Sequence, residues 1–274
     1  MLVTVPASSA NLGAGFDSLG MALTLHAEAG VGEPIDGAHV VDEHHPAYIA
    51  FRQHGGDGEL WVKSPIPMGR GMGYSGAVRV CGLVAAHTQR HGADPEMLEA
   101  ALAELLLVAA ELEGHADNVA ASLYGGVVAT AGGRAVRVPM PFDPAMVMWV
   151  PGFVTSTDES RATLPSEVSM ADAVFNIGRA ALLVASLATG DLTALETATR
   201  DRLHSDRRLA SSPSTRDAVD AMRRSGALAT WLSGSGPTAA AFVERGTSAP
   251  VLASVAGNGT ARVLTIDTTG ARAE

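Results

Sequence analysis

The sequence predicts an α+β protein of two domains, residues 1–141 and 142–274. Its 274 residues, 47% hydrophobic and 18% charged, are enough to bury an ordered core large enough to divide. Segments with strand alternation and segments with helical spacing occur on both sides of Pro139-Met140-Pro141, the clearest break in the chain. A glycine-rich run, Pro67 to Ala77, stands directly ahead of an amphipathic helix.

The elements follow in order. Leu2 to Pro6 alternates as a strand, Ala7 to Asp17 reads as a polar turn, and Leu19 to Ala27 resumes as a strand. Gly30 to Gly58 reads as irregular, with a short helix near Ala47 to Gln53. His39, His44, His45 and His54 in that stretch lack the repeated spacing of metal ligands, so they read as a solvated loop. Glu59 to Ser64 alternates as a strand entering the glycine run, and Ala77, Val78, Cys81, Val84 and Ala85 then repeat at helical spacing. Asp94-Pro95-Glu96 opens the next helix, with an Asp N-cap, Pro at the first position and an acid in the first turn. Its buried stripe, Leu98 to Leu112, ends at Gly114. Val127-Val128 and Ala135 to Val138, split by Gly132-Gly133, read as a hairpin. Beyond the break come a strand (146–150), helices at 170–188, 192–203 and 215–224, and strands at 229–232, 239–243 and 263–266.

A formal net charge of −10 argues against non-specific nucleic-acid binding, so any bound phosphate must be gripped by local donors. Cys81 is the single cysteine and falls on an apolar helix face, which leaves no disulfide or thiolate site. MLVTVPASSA lacks the basic and apolar regions of a signal peptide. The most apolar segment, Leu102 to Leu112, is interrupted by Glu104 and Glu111, so no membrane span is expected. These readings together predict a cytoplasmic protein.

Glycines ahead of a helix let several backbone N–H groups converge on one point, where the helix dipole adds positive potential. The natural guest of 67–77 is a phosphate, although no Gly-Lys-Ser/Thr follows as in a P-loop. Three further clusters accompany it. Asn11 and Asp17 sit in PASSANLGAGFD, suited to a small polar substrate or simply to an Asx-stabilised turn. Glu113 to Asn118, EGHADN, gathers two carboxylates, an imidazole and an amide at a helix end. Trp231 to Thr238, WLSGSGPT, runs a strand into a second glycine loop.

PASSANLGAGFDSLGMAL, PMGRGMGYSGA, EGHADNVAASLYGG, TSTDESRATLP and LSGSGPT together resemble the GHMP kinase superfamily, its homoserine kinase branch most closely. The resemblance implies the two-domain GHMP kinase fold: an N-terminal domain like ribosomal protein S5 domain 2 and a ferredoxin-like C-terminal domain. It implies ATP- and Mg²⁺-dependent phosphorylation of the side-chain hydroxyl of L-homoserine. Pro67, Gly69, Arg70, Gly71, Met72, Gly73, Tyr74, Ser75 and Gly76 would wrap the ATP phosphates, with Ser75 and Glu113 holding Mg²⁺. Asn11, Asp17, His115, Arg161, Arg208 and Gly234 would surround the substrate, the arginines facing its carboxylate. Asp17, Glu113, Asn118 and Arg161 would form the catalytic set. Asn118 stands where some relatives carry an aspartate base, and an amide cannot take a proton, so positioning and charge stabilisation would carry catalysis.

Three departures from the family pattern accompany the match. Tyr74 replaces a usual Ser in the phosphate loop, 30–58 is short where relatives build part of the adenine pocket, and Ser205-Asp206-Arg207 is atypical. Rival readings are a GHMP kinase for another small hydroxylated substrate and a catalytically silent ligand-binding relative. No nucleic-acid or membrane partner is expected, and a homodimer is the assembly to test.

Overall fold

The computed structural model describes residues 1–255, 257 and 259–274. The chain opens with β1 (Val3–Ala10) and β2 (Leu19–Val31), then β3 (His39–Val40), α1 (Pro46–Gln53) and β4 (Leu60–Lys63). Next come α2 (Tyr74–His91), α3 (Pro95–Glu113), α4 (Asp117–Tyr124) and the β5 (Val127–Ala131) to β6 (Arg134–Val138) hairpin. These strands form an antiparallel sheet in the order β1-β2-β4-β3, with β5 pairing β2 and β6. The apolar faces of α2, α3 and α4 close over it around Leu83, Leu105, Leu106 and Leu123, all essentially buried.

The second half holds β7 (Ala145–Pro151), α5 (Thr157–Ala162), α6 (Met170–Thr189), α7 (Leu195–Ala198), α8 (Ser205–Ala210) and α9 (Pro213–Arg224). It continues through β8 (Ala229–Leu232), β9 (Ala239–Val243), α10 (Ser248–Ser254) and β10 (Gly259–Thr265). The four strands pair antiparallel as β10-β7-β9-β8. The chain ends in β11 (Arg272–Ala273), which returns to pair with β1 in the first sheet.

The sequence signals for α3 are met in detail. Asp94 accepts from the Glu96 N–H at 2.9 Å, Pro95 opens the helix, and Gly114 ends it in the left-handed region at φ +84°. Cys81 is buried in the core, which pushes its thiol pKa up.

Several expectations need correction. Ala7 to Ala10 is not turn but strand, paired with β2 from Ala7↔Leu23 to Ala10↔Gly20 after a bulge at Pro6/Ala7. Ser8 and Ser9 look like loop residues, yet both are fully buried. The helix expected at 192–203 is a 3₁₀ turn (Leu192–Ala194) plus α7, and 199–204 is irregular. Asp201 stops it, because its carboxylate accepts from the N–H groups of Leu203, His204 and Ser205. Finally, the apolar segment 102–112 lies within α3, and a second helix, α6, has 20 residues and contains an 18-residue stretch of mean hydropathy 1.4, enough to cross a membrane by length and composition alone. Polar anchors fix α6 instead: buried Asn176 donates to Asp201 at 2.7 Å and accepts from the Arg202 N–H at 2.9 Å.

Candidate active site

The glycine-rich loop is built as its glycines require. A Cβ on Gly73 would collide with the Ser8 hydroxyl, and one on Gly71 with the Ser233 carbonyl; both glycines have φ near +70°. Gly73 is the N-cap of α2 and no side chain caps that end, so its first N–H groups are left for an anion. The Ser233 hydroxyl donates to the Gly71 carbonyl at 2.6 Å, which ties the second glycine loop to the first.

These loops line one cleft with the β1–β2 turn, the α3–α4 junction, α5 and α8. Asn11, Asp17, Gly69, Arg70, Gly71, Gly73, Tyr74, Ser75, Glu113, His115, Asn118, Arg161, Arg208 and Gly234 all line it. Pro67, Met72 and Gly76 do not: Met72 is 1% exposed in the core, and Gly76 packs on Val119. Arg70 lines the cleft but spends its guanidinium on the Pro151 and Gly152 carbonyls at 3.1 and 3.0 Å.

At the glycine-loop end, Ser75 Oγ donates to Glu113 Oε2 at 2.7 Å, and Arg79 Nε donates to the same oxygen at 2.8 Å. Arg79 carries no motif signal; it reaches Glu113 because it sits one turn beyond Ser75 on α2. Tyr74 Oη lies 3.3 Å from His45 Nε2. His45 Nδ1 already accepts from the Ala47 N–H, so Nε2 carries the proton and donates to the phenol. Tyr74→Ser is expected to leave KM for ATP unchanged or slightly lower, since the backbone N–H groups still face the phosphates. A rise beyond about tenfold, the scale of one hydrogen bond, would make the phenol a specific contact.

The other end is lined by charged and polar side chains. Asn11 donates to the Gly234 carbonyl at 2.9 Å and accepts from the Asp17 N–H at 3.0 Å. Asn11 and Asp17 hold φ of 70° and 54°, a backbone state that non-glycine residues adopt only when their surroundings impose it. Asp17 and Arg161 form a two-pronged ion pair, both contacts at 2.9 Å. Arg208 is 4% exposed, and its Nε has no hydrogen-bond partner among the described residues. Burial, with Arg161 nearby, lowers its pKa. Both guanidiniums lie over Phe16, at 5.6 and 5.2 Å from the ring centre.

Between the two ends stands the α3–α4 junction. His115 Nδ1 is 3.1 Å from buried Asp117, whose hydrogen bond raises the imidazole pKa. The Ser8 hydroxyl donates to Asn118 Oδ1 at 2.8 Å. Asp117, Phe16 and Arg79 are the residues that sequence reasoning missed. Asp117 stood inside EGHADN without a role of its own.

Comparison with known proteins places this cleft. The model for the GHMP kinases N terminal domain matches residues 39–126, and that for the GHMP kinases C terminal domain matches 183–259. A homoserine kinase from Thermus thermophilus is 36% identical, over 90% of this chain and 88% of its own length. The chain belongs to the homoserine kinase branch of the GHMP kinases. A homoserine kinase from Streptomyces avermitilis is 39% identical, over 98% of this chain and 94% of its own length. The crystal structure of the Cytophaga hutchinsonii homoserine kinase superposes with a TM-score of 0.84 at 24% identity. It covers 99% of this chain and 96% of that one, so the two-domain GHMP kinase fold extends over the whole molecule. GHMP kinases take ATP as phosphoryl donor, which fits the bare N-terminus of α2.

Proposed function

We propose that the protein transfers the γ-phosphoryl group of ATP to the side-chain hydroxyl of L-homoserine, giving O-phospho-L-homoserine for threonine biosynthesis. One observation carries the substrate class: Arg208 is buried with an unpartnered Nε beside Arg161, an arrangement complementary to a carboxylate. Asp17, already paired with Arg161, is then placed to take the substrate ammonium. The glycine loop and the uncapped start of α2 would hold the triphosphate.

Ser75 and Glu113 fit Mg²⁺, because a hydroxyl and a single carboxylate converge within 2.7 Å and phosphate oxygens would complete the shell. No group of three or more His, Cys, Asp or Glu able to hold a metal occurs among the described residues, as suits an ion bound jointly with nucleotide. The ion would supply charge neutralisation on the transferring phosphoryl group. Asn118, with Oδ1 engaged by Ser8, is a positioning group and not a base.

The domain division is taken at 141/142, supported by the two sheets, whose strands fall on its two sides except for β11, which returns to the first. A cytoplasmic homodimer completes the reading. The outer face of α6 supports pairing, since Met170, Val174 and Ile177 are apolar and 60–79% exposed. A monomeric mass in light scattering would reject it.

ADP release measured with hydroxylated amino acids, mevalonate and sugars tests the substrate. The expected result is a preference for L-homoserine. Turnover of another alcohol alone would favour the rival GHMP substrate, and no turnover would favour a silent ligand-binding relative.

A further inference from the structure

A second cavity, about 450 Å³, opens behind the segment that carries Arg208 into the cleft and shares no lining residue with that cleft. Its floor is apolar, formed by Leu209 of α8, Val219 of α9 and Leu232 of β8, the edge strand of the second sheet. Arg179, Arg200, Arg202 and Arg223 also line it, four of the 19 Lys and Arg residues in a chain of formal charge −10.

The carboxylates on its wall are already engaged. Glu196 pairs with Arg200 at 3.2 Å and Asp206 with Arg216 at 3.6 Å. Asp201 is consumed by Asn176 and three backbone N–H groups. Arg223 pairs with Asp220 at 2.8 Å, outside the lining, and Arg202 reaches Asp172 only at 3.5 Å. No ion pair reaches Arg179 among the described residues. It lies 4.7 Å from the centre of the Phe175 ring, and Arg202 lies 4.0 Å from the same centre.

Thr230 adds an independent mark. It lines the cavity, is 6% exposed, and its hydroxyl has no hydrogen-bond partner among the described residues. Buried hydroxyls are nearly always paired, so this one calls for a group that the chain itself does not supply.

We propose that this cavity binds a small amphipathic oxyanion, a carboxylate or phosphate on a compact apolar body. Arg179 and Arg202 would grip the anion through charge-assisted hydrogen bonds, and Thr230 would donate to one of its oxygens. The apolar body would cover Leu209, Val219 and Leu232. The wall between cavity and cleft is the 199–208 segment itself. The Thr199 carbonyl abuts Gly13, and the neutral His204 ring bridges the Gly13 carbonyl at 2.9 Å and Arg208 at 3.2 Å. Because a guanidinium can only donate, Nδ1 accepts from Arg208 and the ring is neutral, and burial lowers its pKa. A bound oxyanion therefore bears on the residues that aim Arg208 at the substrate.

Calorimetric titration of the full-length protein with phenyl phosphate, phenylacetate and inorganic phosphate tests the site. Saturable binding of phenyl phosphate or phenylacetate is expected, with Kd below about 10 mM and tighter than inorganic phosphate. Arg179→Gln with Arg202→Gln should weaken it by about tenfold or more, and Thr230→Val by several-fold. Arg161→Ala, on the cleft, should leave it unchanged. Phenyl phosphate binding the tighter identifies a phosphate ligand, and phenylacetate a carboxylate. Absence of saturable binding overturns the proposal, as does binding that is lost in Arg161→Ala but kept in the double arginine variant. Because Thr230→Val preserves shape, it decides the matter even if the arginine variant melts early.

Discussion

Glu113→Gln is expected to lower kcat by about 10²–10³-fold at saturating Mg²⁺, the usual cost of losing one charge-stabilising group. The amide keeps the size of the side chain but removes the charge that would hold the ion beside Ser75, 2.7 Å away. The structure adds a second consequence that the motif alone did not contain. Arg79 donates to the same oxygen, and the pair is only 19% and 10% exposed, so the substitution leaves a largely buried guanidinium without its counter-charge. Stability should fall on the order of 1–3 kcal/mol as well. The two effects separate in Arg79→Met combined with Glu113→Gln, which should regain most of the lost Tm while remaining as inactive as Glu113→Gln. Retention of more than about a tenth of wild-type kcat in the single variant would remove Glu113 from the metal site.

What could be seen in the sequence is what a few consecutive residues decide among themselves. The Asp94-Pro95 start and the Gly114 stop of α3 are local chemistry, and so are the glycines that open α2. The partnerships that turn motifs into a site are tertiary. Ser8 meets Asn118 across 110 residues and Asn11 meets Gly234 across 223, so no periodicity could announce either. Ser8 and Ser9 misled for the same reason, because their polarity is satisfied by distant groups, Asn118 for one and Trp231 with Ser233 for the other. α4 escaped because its eight residues span barely two turns, and because Asp117 reads equally well as a cap. Asp201 broke the helix expected at 192–203 through hydrogen bonds to residues just beyond it. The glycine run, Asn11 with Asp17, and the EGHADN cluster could be picked out from the residues, whereas Arg161 and Arg208 were legible only through the resemblance; their shared cleft is a property of the fold.

Arg208→Ala should raise KM for L-homoserine roughly 100-fold and Arg161→Ala roughly 10-fold, the span of one charge-assisted hydrogen bond at about 1.5–3 kcal/mol. KM for ATP should barely move in either, because both guanidiniums lie over Phe16, on the β1–β2 turn. The order of the two effects comes from burial. Arg161 is 43% exposed and already shares Asp17, so water and that carboxylate replace part of what the substrate gives it. Arg208 is 4% exposed with an unsatisfied Nε, and there a substrate carboxylate would meet little competition. Removing Arg208 also frees His204 Nδ1, which accepts from it at 3.2 Å, so a lower Tm is expected alongside the kinetic change. Arg208→Lys separates the contributions. It keeps the charge but not the planar fork, and should restore stability while recovering only part of the affinity. If both alanine variants bind homoserine as the wild type does, the arginines do not form a carboxylate clamp. A small hydroxylated substrate without a carboxylate then becomes the better reading of the cleft.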